Sequence, residues 1–100
     1  MATHSIALST HPTLVANTVD TVSFTGDILN VEVCNRDGAA VIFFRIDGVA
    51  PTVAGDNTYV VLPGGALKVH PDLVDIVAGI EQVQLISSGA AAYSVTGFSS

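Results

Sequence analysis

Read for polarity alone, the chain is a succession of short apolar runs cut by Gly, Pro, Asn and Asp. Segments rich in Val, Ile, Thr, Phe and Tyr fall at Ile6 to Leu8, Thr18 to Phe24, Leu29 to Asn35, Val41 to Ile46, Tyr59 to Leu62, Ala66 to His70, Gln82 to Ser87 and Tyr93 to Phe98. Turn formers separate them at Thr25-Gly26-Asp27, Asp37-Gly38, Gly55-Asp56-Asn57, Pro63-Gly64-Gly65 and Ser88-Gly89. Short strands at this spacing predict an all-β fold, a single small antiparallel β-sandwich or barrel of about eight strands. One stretch departs from the pattern. Leu73, Ile76, Val77, Ile80 and Val83 recur at helical spacing, with Pro71 placed for a first turn and Gly79 for a stop. There a short helix over residues 71–79 competes with a loop.

The run RDGAAVIFFRIDG, residues 36–48, sets six apolar residues, Ala39 to Phe44, between two Asp-Gly pairs. A membrane helix needs about 20 such residues. A strand with one wet face would alternate, and this one does not. With Asp37-Gly38 as a two-residue type I′ turn, Val33 faces Ile42, Val31 faces Phe44 and Leu29 faces Ile46, an apolar face for the core. The opposite face then pairs Cys34 with Val41, Glu32 with Phe43 and Asn30 with Arg45, and brings Glu32 diagonal to Arg45 for an ion pair across Phe43. Glu32, Val41, Phe43 and Arg45 are therefore candidate interface residues, unless the N-terminal residues of the same chain lie over them. Ile6 and Leu8, within an extended arm over residues 1–12, are candidates for contact with a neighbour.

At 100 residues the chain suits one domain, residues 1–100. Area scaling buries about 64% of the unfolded surface, enough for a core. Only 12% of residues are charged, about half the usual share, so the surface is either uncharged and polar or covered in an assembly. The net charge of −6 sets nine acids against Arg36, Arg45 and Lys68. Nucleic acid and anionic membranes are poor partners for such a chain. Cys34 is the single cysteine, so neither an intrachain disulfide nor a Cys-based zinc site is expected. The first residues lack the basic start and apolar run of a secretory signal, and folding in a cytoplasm is expected.

Chemistry is sparse. His4, His11 and His70 show no metal-ligand spacing. Asp47, Asp56 and Asn57 could line one calcium-holding loop, but their spacing is not that of an EF-hand and such residues are ordinary turn formers. No GxSxG elbow is present, and Pro63-Gly64-Gly65-Ala66-Leu67-Lys68 lacks the spacing of a phosphate loop. Neither catalytic residues nor a cofactor is expected; a carbohydrate- or ion-binding β-module stands as the alternative from another class.

The phrases VEVCNRDGAAVIFFRIDG, PTVAGDNTYVVLPGG and VQLISSGAAAYSVTG, with the NRDG turn at Asn35 to Gly38, resemble a recurrent type of small virion protein in tailed bacteriophages, especially those of actinobacterial hosts. The resemblance spans roughly residues 18–98, with HPDLVDIVAGIEQ at 70–82 as a departure. It implies a β-sandwich made in the host cytoplasm that decorates the capsid exterior, bound to the major capsid protein, or that belongs to the tail. It also implies a homo-oligomer, with a trimer suiting a threefold lattice position. Its marks are turns and strands, with no catalytic residue among them.

Overall fold

The computed structural model describes residues 3–26, 28–69 and 80–98. Nine strands form among the described residues: β1 (Thr3–Ile6), β2 (Ser9–Thr10), β3 (Asp20–Phe24), β4 (Asn30–Asn35), β5 (Ile42–Arg45), β6 (Tyr59–Val61), β7 (Ala66–Val69), β8 (Gln82–Ser87) and β9 (Tyr93–Phe98). They make a five-stranded sheet ordered β1-β3-β8-β5-β6 and a four-stranded sheet ordered β2-β9-β4-β7. All ladders are antiparallel except β1 with β3. The all-β expectation holds, as a sandwich. The expected helix at 71–79, and His70, lie outside the described residues. Among the described residues no helix is long and apolar enough to cross a membrane.

Alternation along each strand builds the core, because successive side chains point to opposite faces. Val31 and Val33 on β4, Val95 and Tyr93 on β9, Val22 on β3, Val83 and Leu85 on β8, and Ile42 and Phe44 on β5 are all fully buried. Phe44 stacks on Tyr59 with ring centroids 5.1 Å apart. Gly97 holds the inward position after Tyr93 and Val95 for a steric reason. A Cβ there would meet the Phe24 ring at 2.8 Å and Ile28 at 2.9 Å.

The expected β4–β5 hairpin does not form. β4 pairs with β7 and β9, whereas β5 pairs with β6 and β8 in the other sheet. A type I′ turn needs positive φ at both central residues, and neither Asp37 nor Gly38 has it. Residues 36–41 instead cross between the sheets. Asp37 Oδ2 accepts the amides of Ala39 (3.0 Å) and Ala40 (2.7 Å), and this pair of bonds holds its carboxyl below the ordinary 3.8. Asn35, 1% exposed, donates through Nδ2 to the carbonyls of Ala40 (2.8 Å) and Val61 (3.1 Å), and its Oδ1 accepts the Asp37 amide (3.0 Å). The Pro63-Gly64-Gly65 turn, which joins β6 to β7, is a second crossing. Gly64, with φ of 75°, donates to Asp37 O (3.1 Å), and Gly65 O accepts the Asn35 amide (2.8 Å). The two crossings thus brace each other at one end of the sandwich.

Of the expected face pairs, Val31, Val33, Ile42 and Phe44 do enter the core, but from opposite sheets. Leu29 is 39% exposed and belongs to neither face of that set.

Candidate interface on the outer sheet faces

The register sets the outer face of the five-stranded sheet in rows. Ile86, Phe43 and Val60 are side by side across β8, β5 and β6. The next row runs Thr3, Thr21, Gln84 and Arg45. An apolar row therefore gives way to polar residues, of which only Arg45 is charged. Ile86 is 7% exposed and Phe43 is half-buried, while Val60 is 47% and Leu62 is 64% exposed. β6 is also a sheet edge, and its residues Tyr59, Val60 and Val61 include none of the charges or prolines that usually blunt an edge.

Arg45 closes the polar row without Glu32. Its Nε donates to Asp47 Oδ1 (3.0 Å), Nη2 bonds Asp47 Oδ2, and Nη1 donates to Asp56 O (3.3 Å). This pairing holds the Asp47 carboxyl below its ordinary range and raises the guanidinium in return. The Glu32–Arg45 ion pair is thereby corrected: the two residues are on different sheets. Glu32 is instead half-buried on the outer face of the four-stranded sheet, between Lys68 on β7 and Thr96 on β9. Lys68 Nζ sits 4.4 Å from the Phe98 ring centroid. Val41 is half-buried just before β5, and Cys34 lies between Ala66 and Ser94. Glu32, Val41, Phe43 and Arg45 therefore do not make one patch.

The N-terminal candidates are used within the chain. Ile6 packs against the core from β1, which pairs with β3 three strands away from β5. Residues 3–10 run as two edge strands, one in each sheet, and so do not lie over the outer face of Phe43. Leu8, 61% exposed, lies between them, and its carbonyl accepts the Gly97 amide (2.8 Å).

Asp47 and Asp56 are organised by Arg45, and Asn57 takes the left-handed φ of 62° that Asn tolerates in turns. Among the described residues no group of three or more His, Cys, Asp and Glu side chains is arranged to hold a metal. Inside the sandwich, Tyr93 Oη donates to Asp20 Oδ2 (3.0 Å), and His4 Nε2 lies 3.7 Å from the same oxygen. Burial, followed by the Asp20 charge and its hydrogen bond, pushes the phenol well above its usual 10. This cluster ties β1, β3 and β9 together.

Sequence reasoning missed Val60 and Leu62. The signal was present: Tyr59-Val60-Val61-Leu62 is as two-sidedly apolar as the run at 39–44 and ends at Pro63. No protein-family model, curated protein or solved structure matches the chain.

Proposed function

We propose that the protein is a structural component of a tailed-phage virion, a head decoration protein that docks on the outside of the capsid lattice. The observation behind this reading is the exposed apolar edge, Val60 beside Phe43 and Leu62 just past the end of β6, on a chain with only 12% charged residues. Such an edge can accept an added strand, with backbone hydrogen bonds giving affinity and alternate side chains giving specificity. The major capsid protein is the partner, and each contact can be weak because a lattice presents many copies. A homotrimer would present three such edges at a threefold position. The phage-like phrases at 31–48 and 51–65 support the same reading.

Immunogold labelling of virions from the phage that encodes the chain tests it. Gold over the heads is expected. Gold confined to tails would replace the capsid with a tail assembly as the partner, and unlabelled virions would overturn the reading.

A further inference from the structure

Arg36 is both anchored and exposed. Its Nε donates to Ser94 Oγ (2.9 Å), and its Nη2 donates to the carbonyls of Tyr93 (3.0 Å), His11 (3.1 Å) and, at longer range, Pro12 (3.5 Å). These bonds fix the guanidinium plane before any partner arrives. Nη1 has no acceptor among the described residues. Ser94 Oγ is also 2.8 Å from His11 Nδ1, which orients a second exposed nitrogen ring beside the arginine.

The other two bases are used differently. Arg45 is paired with Asp47, and Lys68 lies over Phe98 and opposite Glu32. No acid among the described residues comes within ion-pair distance of Arg36. Its neighbour Asp37 is occupied by the amides of Ala39 and Ala40. A guanidinium held in place, with donors free, matches a carboxylate and loses little side-chain entropy on binding it.

We propose that Arg36, with His11 beside it, is a preformed receptor for a carboxylate of a second copy of this chain. Charge complementarity favours that occupant. Two copies at −6 each repel over most of their surface, so a contact between them needs a place where the sign reverses. Among the described residues Glu81 and Asp56 are exposed and make no ion pair, and of these residues they are the acids that suit it. Arginine on one copy and acid on the next can be made twice across a twofold dimer, or once per copy in a head-to-tail ring or chain. The inference rests on the assembly reading above and names one of its contacts.

Sedimentation velocity on the purified full chain tests it, in NaCl at about 0.15 M and about 1 M, where the Debye length falls from about 8 Å to about 3 Å. The long-range repulsion of the two net charges is then already screened, and mainly the contact itself responds. Wild type is expected to associate at low salt and to weaken about tenfold or more at high salt, as a screened contact should. Arg36→Gln should remain monomeric at both. Because that change also removes a clamp on residues 11, 12 and 93, the pair Glu81→Gln with Asp56→Asn provides a second route to the same loss without touching it. A wild type that stays monomeric at low salt overturns the proposal, as does association that survives high salt or survives both sets of variants. Salt-resistant association abolished by Val60→Asp would remove this contact and leave docking through the apolar edge standing. Unlabelled virions would do the reverse.

Discussion

Asn35→Asp is nearly isosteric, yet it should be among the most damaging single changes in the chain. Asn35 is 1% exposed, and its Nδ2 serves two carbonyls, Ala40 O on the way into β5 and Val61 O at the end of β6. Replacing that amide nitrogen with oxygen turns two donated bonds into oxygen–oxygen contacts. A buried acceptor left without its donor costs about 1–3 kcal/mol, so the two together cost about 2–6 kcal/mol. Near neutral pH the new carboxylate would also be a buried charge without a partner, a penalty of several kcal/mol more. Against a total stability of about 5–15 kcal/mol, much of the fold's margin disappears. The pH dependence has a definite sign. A carboxyl facing carbonyl oxygens has its folded pKa raised above the ordinary value of about 3.9. Stability of the variant relative to wild type is then best below about pH 3.9 and is lost as pH rises through the folded pKa. Urea unfolding followed by circular dichroism near pH 7 and near pH 3.5 measures both effects. A variant within about 0.5 kcal/mol of wild type near pH 7, or a deficit that ignores pH, would refute the role assigned to the crossing.

Neighbouring phenylalanines should behave oppositely. Phe44→Ala, which opens a cavity beneath Tyr59 in the core, is expected to cost about 3–5 kcal/mol in denaturant unfolding. Phe43→Asp on the outer face should leave the chain folded, at a cost of about 1–2 kcal/mol. Tyr93 should resist ionisation, since its folded pKa is raised and the associated stability is present below the ordinary value of 10 and lost only as pH climbs above it. Absorbance near 295 nm should therefore fall short of the full two-tyrosine change until the fold itself is lost; complete titration with native circular dichroism would contradict the buried Tyr93–Asp20 bond.

What could be read from the sequence was local. Val31 and Val33 alternate with Glu32 and Cys34 and so declare which side of β4 is buried, whatever that strand pairs with. Strand partners are not local. Of the sheet neighbours only β5 and β6 follow each other directly in the chain, and the other ladders join distant segments. Asp-Gly is a strong hairpin signal only when both residues adopt positive φ, and here the Asp37 carboxylate and the Asn35 side chain stabilise a crossing instead. Asn35 and Arg36 look like plain turn formers in sequence because atoms they bond lie at Val61, Tyr93 and Ser94, far along the chain, whereas the Asp37 carboxylate bonds the nearby amides of Ala39 and Ala40. The candidate face failed for the same reason. A two-residue turn at Asp37-Gly38 would set Glu32 against Phe43, whereas the sheet neighbours of Phe43 are Ile86 and Val60.

The central claim is that the apolar edge at Val60 docks the protein on a capsid. Capsids assembled without the chain, mixed with the purified protein and pelleted, test it most directly. Wild type should bind to saturation, and Val60→Asp, with an unchanged circular dichroism spectrum, should remain in the supernatant. Equal binding by the two proteins, or no binding by wild type, would contradict the account.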